Sequence, residues 1–300
     1  MKILNIGSLN IDKVYTMDHF VTAGETLASR NMEIFPGGKG LNQAVALARA
    51  GAEVYAAGAI GPDGQFLADI LRQSGANVDC VRLLPEADSG HAIIQVIPSG
   101  QNCIITAPGA NGMLSEAYID ETLSHFGPGD LMLVQNETNN IPYMMKKAKE
   151  RGLQIAINAS PINEALFTYP LELVDYFIIN EIEGQAIAGT QETDYEKILE
   201  ALLKKFPQTA VVLTLGGEGV LYGKGGDRAR HGIFKVTAVD TTAAGDTFCG
   251  YFLASLAKGL EPREALRFSS AASAITVSGK GAAVSIPTWE QVEKFLEEHK

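Results

Sequence analysis

A carboxylate, a run of small residues and an expected helix start coincide at Asp240-Thr241-Thr242-Ala243-Ala244-Gly245-Asp246. Ala243, Ala244 and Gly245 carry almost no side chain, so their N–H groups can approach a ligand closely. A strand is expected to end near Val239, and a helix to run from Thr247 to Lys258. The first amides of a helix lack carbonyl partners and sit at its positive end, so they can hold an anion. Asp246 stands at that place. Its carboxylate could take the proton of a hydroxyl lying beside a bound phosphate, or simply align that hydroxyl. The same residues also fit a plain N-cap with close helix–sheet packing. The segment alone leaves the two readings level.

Two further clusters suit recognition of hydroxyl groups. Pro36-Gly37-Gly38-Lys39-Gly40-Leu41-Asn42 places glycines before a helix, with Lys39 and Asn42 on one face of its first turn. A rigidly held amide matters there, because a buried polar group left unmatched costs about 1–3 kcal/mol. A lone lysine also commonly faces solvent. Gly7-Ser8-Leu9-Asn10-Ile11-Asp12 follows the first strand. In extended chain Asn10 and Asp12 point the same way, and Asp12 could clamp two hydroxyls. A turn rich in Asn and Asp is the plainer alternative.

Weaker signals lie at later strand ends. Gln135-Asn136-Glu137 puts polar groups beyond a strand. Asn180 and Glu183 stand one helical turn apart and suit phosphate or metal-water contacts. Thr214-Leu215-Gly216-Gly217-Glu218-Gly219 is a glycine-rich turn. No GxxxxGK[ST] phosphate loop occurs in the chain.

The elements that must carry these residues read as alternating strands and helices. Ile3–Gly7, Val54–Ala59, Leu131–Gln135, Ile155–Ile157, Tyr176–Ile179 and Val211–Leu215 read as strands, and the later four are apolar on both alternations. Helices are expected at Gly38–Ala50, Asp63–Ser74, Ile141–Arg151 and Tyr195–Phe206. This alternation predicts a mostly parallel sheet covered on both faces, with ligands beyond the carboxyl ends of its strands. Lys13–Met17, Ala28–Phe35 and His91–Thr106 break the pattern. The last is expected to be a hairpin turning at Pro98-Ser99-Gly100. These three stretches form either a small separate sheet, acting as a lid, or an extension of the main one.

Composition narrows the function classes. The chain has 300 residues, 46% hydrophobic and 20% charged, with a formal net charge of −11. That acidity disfavours a broad nucleic-acid-binding surface, though a local site can still hold a nucleotide. No run of roughly 18 apolar residues suggests a membrane span. The start lacks a secretory leader pattern, and three scattered cysteines give no disulfide framework, so a cytoplasmic location is expected. The five histidines never cluster at metal-ligand spacing.

Taken together, the motifs resemble the ribokinase-like (PfkB-type) sugar kinase family from Gly7 to about Pro287. PGGKGLNQA at 36–44 resembles its N-terminal signature, and DTTAAGDTFCG at 240–250 its more specific C-terminal one. NEIE at 180–183 resembles its NxxE motif, and TLGGEG at 214–219 its nucleotide loop. GSLNID at 7–12, GET at 24–26 and Glu137 are similar to the ribose-phosphorylating branch. The resemblance implies one three-layer α/β/α domain over 1–300 with a small β-sheet lid. It implies ATP- and Mg²⁺-dependent phosphorylation of a sugar hydroxymethyl group, with D-ribose giving D-ribose 5-phosphate as the first expectation. Asp246 is then the base, and Ala243, Ala244 and Gly245 the anion hole. Asn10, Asp12, Gly38, Lys39, Asn42 and Glu137 surround the sugar. Asn180, Glu183, Thr214, Gly216, Gly217, Gly219, Gly245 and Ser270 serve the nucleotide and Mg²⁺ side. Asp240, Thr242, Thr276, Gly279, Gly281 and Ser285 match a K⁺ site built mostly of carbonyls. A homodimer through the lid is also implied.

The sequence departs from the family pattern at Leu41, at the polar Gln135-Asn136-Glu137-Thr138 and at Ser270. These bear on which sugar is used. Another sugar or a nucleoside is the alternative substrate, and a nucleoside would want an aromatic platform, for which Tyr15 and Phe35 are available. A phosphorylated sugar would want a basic cluster, where only Lys39 and Arg30 stand. A non-catalytic sensor on the same fold would not need Asp246.

Overall fold

Strands with no polar alternation have to be covered on both faces, and the chain supplies helices on each side. The computed structural model describes residues 1–299. In chain order the elements are β1 (Ile3–Ile6), β2 (Asn10–Thr16), β3 (Asn31–Gly37), α1 (Lys39–Arg49), β4 (Val54–Ile60), α2 (Gln65–Gln73), β5 (Asn77–Leu83), β6 (Gly90–Val96) and β7 (Asn102–Ala107). Then follow α3 (Glu116–Leu123), β8 (Leu131–Gln135), α4 (Ile141–Glu150), β9 (Gln154–Asn158), β10 (Tyr176–Asn180), α5 (Glu181–Ala188), α6 (Tyr195–Lys205) and β11 (Ala210–Thr214). The chain ends with β12 (Val220–Lys224), β13 (Asp227–His231), α7 (Ala244–Ala257), α8 (Pro262–Val277), α9 (Ala282–Ser285) and α10 (Trp289–Glu298).

The main sheet has the order β13-β12-β11-β10-β9-β8-β1-β4-β5. From β5 to β11 every pairing is parallel, while β12 and β13 add antiparallel at one edge. Alternate residues of each strand feed two separate cores. Ile3, Leu131, Leu133 and Ile178 pack with Val45, Phe252 and Leu266 of α1, α7 and α8 on one face. Leu4, Met132, Val134 and Ile179 pack with Ile119, Met144 and Leu202 of α3, α4 and α6 on the other. That is the expected three-layer α/β/α arrangement. The strand order reverses between β1 and β8, and sheets of this kind bind ligands beyond the carboxyl ends around such a switch point.

The extra strands form their own sheet, in the order β3-β2-β6-β7. The β2–β3 and β6–β7 pairings are antiparallel and β2–β6 is parallel. The second stretch pairs from Asn31 rather than Ala28, and the first from Asn10 rather than Lys13. Asn10 and Asp12 therefore lie within a strand, not in a turn. Pairing with neighbours on both sides outweighs the turn preference of Asn and Asp.

The strand expected to end near Val239 is absent. Residues 232–238 are irregular, and the Val239 and Asp240 N–H groups both donate to the Val277 carbonyl at the end of α8. The N–H groups of this segment's end cap a helix instead of joining a sheet. The following helix begins at Ala244, three residues before the expected Thr247.

Two helices meet closely enough to bring their first turns together. A Cβ added to Gly250 on α7 would stand 2.4 Å from the Ala46 Cβ and 2.9 Å from the Leu47 nitrogen on α1. One turn toward each N-terminus from that contact lie Asp246 and Asn42. Replacing Gly250 by Ala is expected to destabilise the fold by roughly 1–3 kcal/mol through overpacking. Chemical denaturation would measure this. Because the added methyl pushes α1 from α7, kcat should fall as well.

Candidate active site

The carboxyl ends of β9, β10 and β11 and the start of α7 enclose a cleft of about 250 Å³. Lys39, Asn180, Glu183, Thr214, Ala243, Ala244, Gly245 and Asp246, all singled out from sequence, line it. So do Thr241, from the same segment as Ala243–Asp246, and Asn158, Ser160 and Ile178, which were not singled out.

Local geometry aims the start of α7 into this space. Ala243 takes φ 61°, a left-handed conformation uncommon outside glycine, and turns the chain into the helix. The Thr247 N–H donates to the Ala243 carbonyl at 2.8 Å, and that of Ala244 to Thr241 at 3.3 Å. The N–H groups of Gly245 and Asp246 have no partner among the described residues. A Cβ built on Gly245 would meet open space. Two free donors at the positive end of a 14-residue helix, facing a cleft, fit a phosphate.

Asp246 itself is buried. Its Oδ2 accepts from Asn42 Nδ2 at 3.0 Å and its Oδ1 from Gln43 Nε2 at 2.9 Å. Lys39 adjoins it on α1. Burial pulls the Lys39 ammonium down, but Asp246, Glu137 and Glu183 outweigh this and leave it above its usual value. It stays charged in the cleft. The first turn of α1 is held by close backbone approach. Gly38 takes φ 89°, and a Cβ on it would stand 2.7 Å from the Ser8 carbonyl oxygen. Leu41, the departure noted at this helix start, points away into the core, fully buried.

The hydroxyl-recognition residues flank Lys39. Ser8 donates to Glu137 Oε2, which also accepts the Lys39 N–H at 3.1 Å. Asn10 Oδ1 accepts from Asn111 Nδ2 at 2.7 Å, and the Leu9 N–H donates to Asn111 Oδ1 at 2.9 Å. Asn111 is buried and orients Asn10. Gly37 leaves room for the Asp12 carboxylate, since a Cβ there would lie 2.0 Å from Asp12 Oδ2. Burial and the nearby carboxylates of Glu137 and Asp246 raise Asp12 to about 7. Phe35 pairs directly with Asp12 and so shares its face of the small sheet, whereas Tyr15 lies on the opposite face.

Asn180 and Glu183 form a reciprocal cap at the start of α5. The Glu183 N–H donates to Asn180 Oδ1 at 2.8 Å, and the Asn180 N–H to Glu183 Oε2 at 3.0 Å. Burial raises Glu183, against the opposing pull of the Asn180 N–H and Lys39. The motif is thus a capping box whose carboxylate also edges the cleft. Beside it, Asn158 Nδ2 donates to the Ile178 carbonyl, leaving its buried Oδ1 without a donor among the described residues.

Other residues singled out from sequence lie off the cleft. Gly216 and Gly217 sit in the short turn after β11, with Gly219 just beyond, and only Thr214 of that segment lines the space. Ser270 lies on α8 one turn before Ser273, whose hydroxyl donates to the Ala244 carbonyl at 2.8 Å. The Asp240 carboxylate accepts the N–H groups of Thr242 at 2.9 Å and Gly281 at 3.0 Å. Those bonds, with Lys280, outweigh burial and hold Asp240 below the usual range. Gly279 lies against Ser285, and the Thr276 carbonyl accepts the Gly279 N–H at 3.1 Å. Asp240, Thr242, Thr276, Gly279, Gly281 and Ser285 thus lie together near the end of α8. Among the described residues no three His, Cys, Asp or Glu side chains group to hold a metal ion.

A helix start that fits phosphate, a buried carboxylate beside it and a polar clamp on a small sheet mark a small-molecule phosphotransferase. The chain matches the pfkB family carbohydrate kinase description over residues 1–289. It belongs to that family. A ribokinase of Haemophilus influenzae is 37% identical over 299 residues, covering 97% of each chain. A deoxyribokinase of Salmonella typhi is 30% identical, covering 99% of each. The solved structure of Arabidopsis thaliana ribokinase complexed with ribose and ATP has a TM-score of 0.87 and 28% identity, covering 99% of this chain and 98% of that one.

Proposed function

We propose that this carbohydrate kinase transfers the γ-phosphoryl group of ATP to the hydroxymethyl group of D-ribose, giving D-ribose 5-phosphate. The observation that carries the reading is the placement of Asp246. It stands beside two free helix-start amides, and its charge acts on Asp12, which with Asn10 and Glu137 forms a polar clamp. The Haemophilus influenzae ribokinase and the ribose complex of the Arabidopsis thaliana enzyme support ribose as the acceptor.

Asp246 orients the hydroxymethyl group and takes its proton as the oxygen attacks. The amides of Gly245 and Asp246, with Lys39, meet the charge on the transferring group. Asn180, Glu183, Thr214, Gly216, Gly217, Gly219 and Ser270 border the nucleotide side. Mg²⁺ would enter with the ATP phosphates, neutralising their charge and keeping several waters, with Glu183 and Asn158 Oδ1 as acceptors for those waters. Asp240, Thr242, Thr276, Gly279, Gly281 and Ser285 would hold K⁺ behind the anion hole. The small sheet acts as a lid that excludes competing water. Its outer face exposes Ile34 and Ile105, at 53% and 58%, which supports a homodimer through the lids. The protein acts in the cytoplasm, which its free cysteines and its use of ATP favour.

ADP release with a panel of ribose, 2-deoxyribose, hexoses and nucleosides, with and without K⁺, tests the reading. Turnover highest with ribose and raised by K⁺ is expected. Turnover confined to 2-deoxyribose or a nucleoside would overturn it.

Asp12 predicts a pH signature. Between 3.8 and about 7 the folded chain keeps a proton on Asp12 that the unfolded chain has lost. The stability of the free protein should therefore fall across that window as pH rises. Ionised Asp12 accepts two hydroxyl protons, so the sugar KM should fall as pH rises through about 7. Asp12→Asn should raise the sugar KM and abolish its pH dependence. Initial rates against sugar concentration at several pH values measure both.

A further inference from the structure

Asp246 is held from behind by a buried chain of side-chain amides, and each link fixes the orientation of the next. Asn5 donates its Nδ2 to the Gly40 carbonyl at 2.7 Å. A carbonyl only accepts, so the Asn5 amide must turn its Oδ1 the other way. That oxygen accepts from Gln135 Nε2 at 2.8 Å. The same Gln135 nitrogen donates to Gln43 Oε1, also at 2.8 Å. The Cys249 thiol approaches that oxygen as a second donor, at 3.7 Å. With its oxygen claimed, Gln43 presents Nε2 to Asp246 Oδ1 at 2.9 Å. Asn5, Gln43 and Gln135 are each at most 1% exposed. None of the three lines the cleft.

We infer that Gln43 is a positioning residue for the catalytic carboxylate. It fixes the rotation of Asp246 through an amide relay anchored on the Gly40 backbone, and it does so without touching substrate. This rests on the reading of Asp246 as the base. The chemistry is directional. A carboxylate gripped by one donor on each oxygen cannot swing about its χ2 bond, and the Gln43 amide cannot flip without setting its oxygen against Asp246. Gln43 and Asn42 are neighbours on α1, yet they play different parts. The Asn42 side chain bonds only Asp246 Oδ2 among the described residues, whereas Gln43 links Asp246 to Gln135 at the end of β8 and, through it, to Asn5 on β1.

The test is steady-state kinetics on Gln43→Met, Gln43→Glu, Gln135→Met and Asp246→Asn, with thermal melting of each. Gln43→Met keeps the size and removes the donor. It should lower kcat by about tenfold to a hundredfold, while the KM values for sugar and ATP stay within about twofold. Gln135→Met removes the donor that orients Gln43 and should give the same split at smaller amplitude. Gln43→Glu adds a pH readout that a merely structural role would not move. Ionised, the new carboxyl repels Asp246; protonated, it donates to it. Its kcat relative to the parent should therefore rise as pH falls.

If Gln43→Met turns over within about twofold of the parent while Asp246→Asn is inactive, the positioning role fails and the base assignment survives. If Asp246→Asn retains near-parental turnover, the base assignment fails and takes the positioning role with it. A loss carried by KM, or a Gln43→Glu ratio flat with pH, also overturns the inference. Should Gln43→Met not fold, the Gln43→Glu pH ratio and the Gln135→Met split decide it.

Discussion

Replacing Asp246 by Asn should lower kcat by about two to four orders of magnitude, the range that a positioned general base contributes. The sugar KM should move little, because the proposed sugar clamp of Asn10, Asp12 and Glu137 is left in place. Nucleotide binding, measured by calorimetry, should be retained, since the free amides at the start of α7 remain. The substitution is close in size but not in bonding. Asn42 and Gln43 both offer N–H donors to Asp246. An asparagine can accept with one atom only, so one donor is left facing another donor. That mismatch should cost about 1–3 kcal/mol of stability, visible as a lower melting temperature. Asp246→Glu separates the two effects. It restores an acceptor-only group but extends it by one methylene, and a misplacement near 1 Å can still cost about a hundredfold. Near-normal turnover in Asp246→Asn would remove the base assignment.

How much of this could be read from the chain depends on whether the relevant contacts are local. The open helix start was legible because Ala243, Ala244, Gly245 and Asp246 are consecutive and begin one helix. The pair Asn180 and Glu183 was legible as a spacing of three, although its role as a helix capping box was not. The central strands were legible because their apolar runs allow no exposed face. By contrast, Asn111 orients Asn10 across 101 positions, and Gln135 orients Gln43 across 92. No local pattern marks such pairs, and a lone Asn or Gln in a sequence has no distinguishing spacing.

The missing strand near Val239 and the earlier start of β2 have a common cause. Residues near Val239 are apolar, but their N–H groups bond to a helix end. Asn10 and Asp12 are turn formers, but β2 has a paired neighbour on each side. Propensity describes a residue's own preference, whereas the partner for its N–H and C=O is supplied from elsewhere in the chain. The lid face follows the same logic. Its alternation was visible in sequence, but only the register places Phe35 beside Asp12 and Tyr15 on the far side.

Replacing Lys39 by Met should lower kcat by about a hundredfold to a thousandfold, the loss typical when one preorganised charge-stabilising group is removed. The argument is electrostatic. Asp246, Glu137 and Glu183 all act on Lys39, and together they hold its ammonium above its ordinary value despite burial. It therefore remains a fixed positive charge across the working pH range, beside the helix start that would face the transferring phosphoryl group. Methionine fills the space without the charge. The carboxylates around it then lose their shared counter-charge, and Glu183, already raised by burial, loses the pull of Lys39 that opposes that rise. The acid limb of the pH–rate profile should consequently shift to higher pH in Lys39→Met. Lys39→Arg should not restore the parental rate, because a planar guanidinium cannot take the place of a compact ammonium in so confined a setting. Pre-steady-state rates of phosphoryl transfer across pH measure both effects together. A Lys39→Met enzyme with an unshifted acid limb and a kcat near the parent's would show that the charge serves the fold alone.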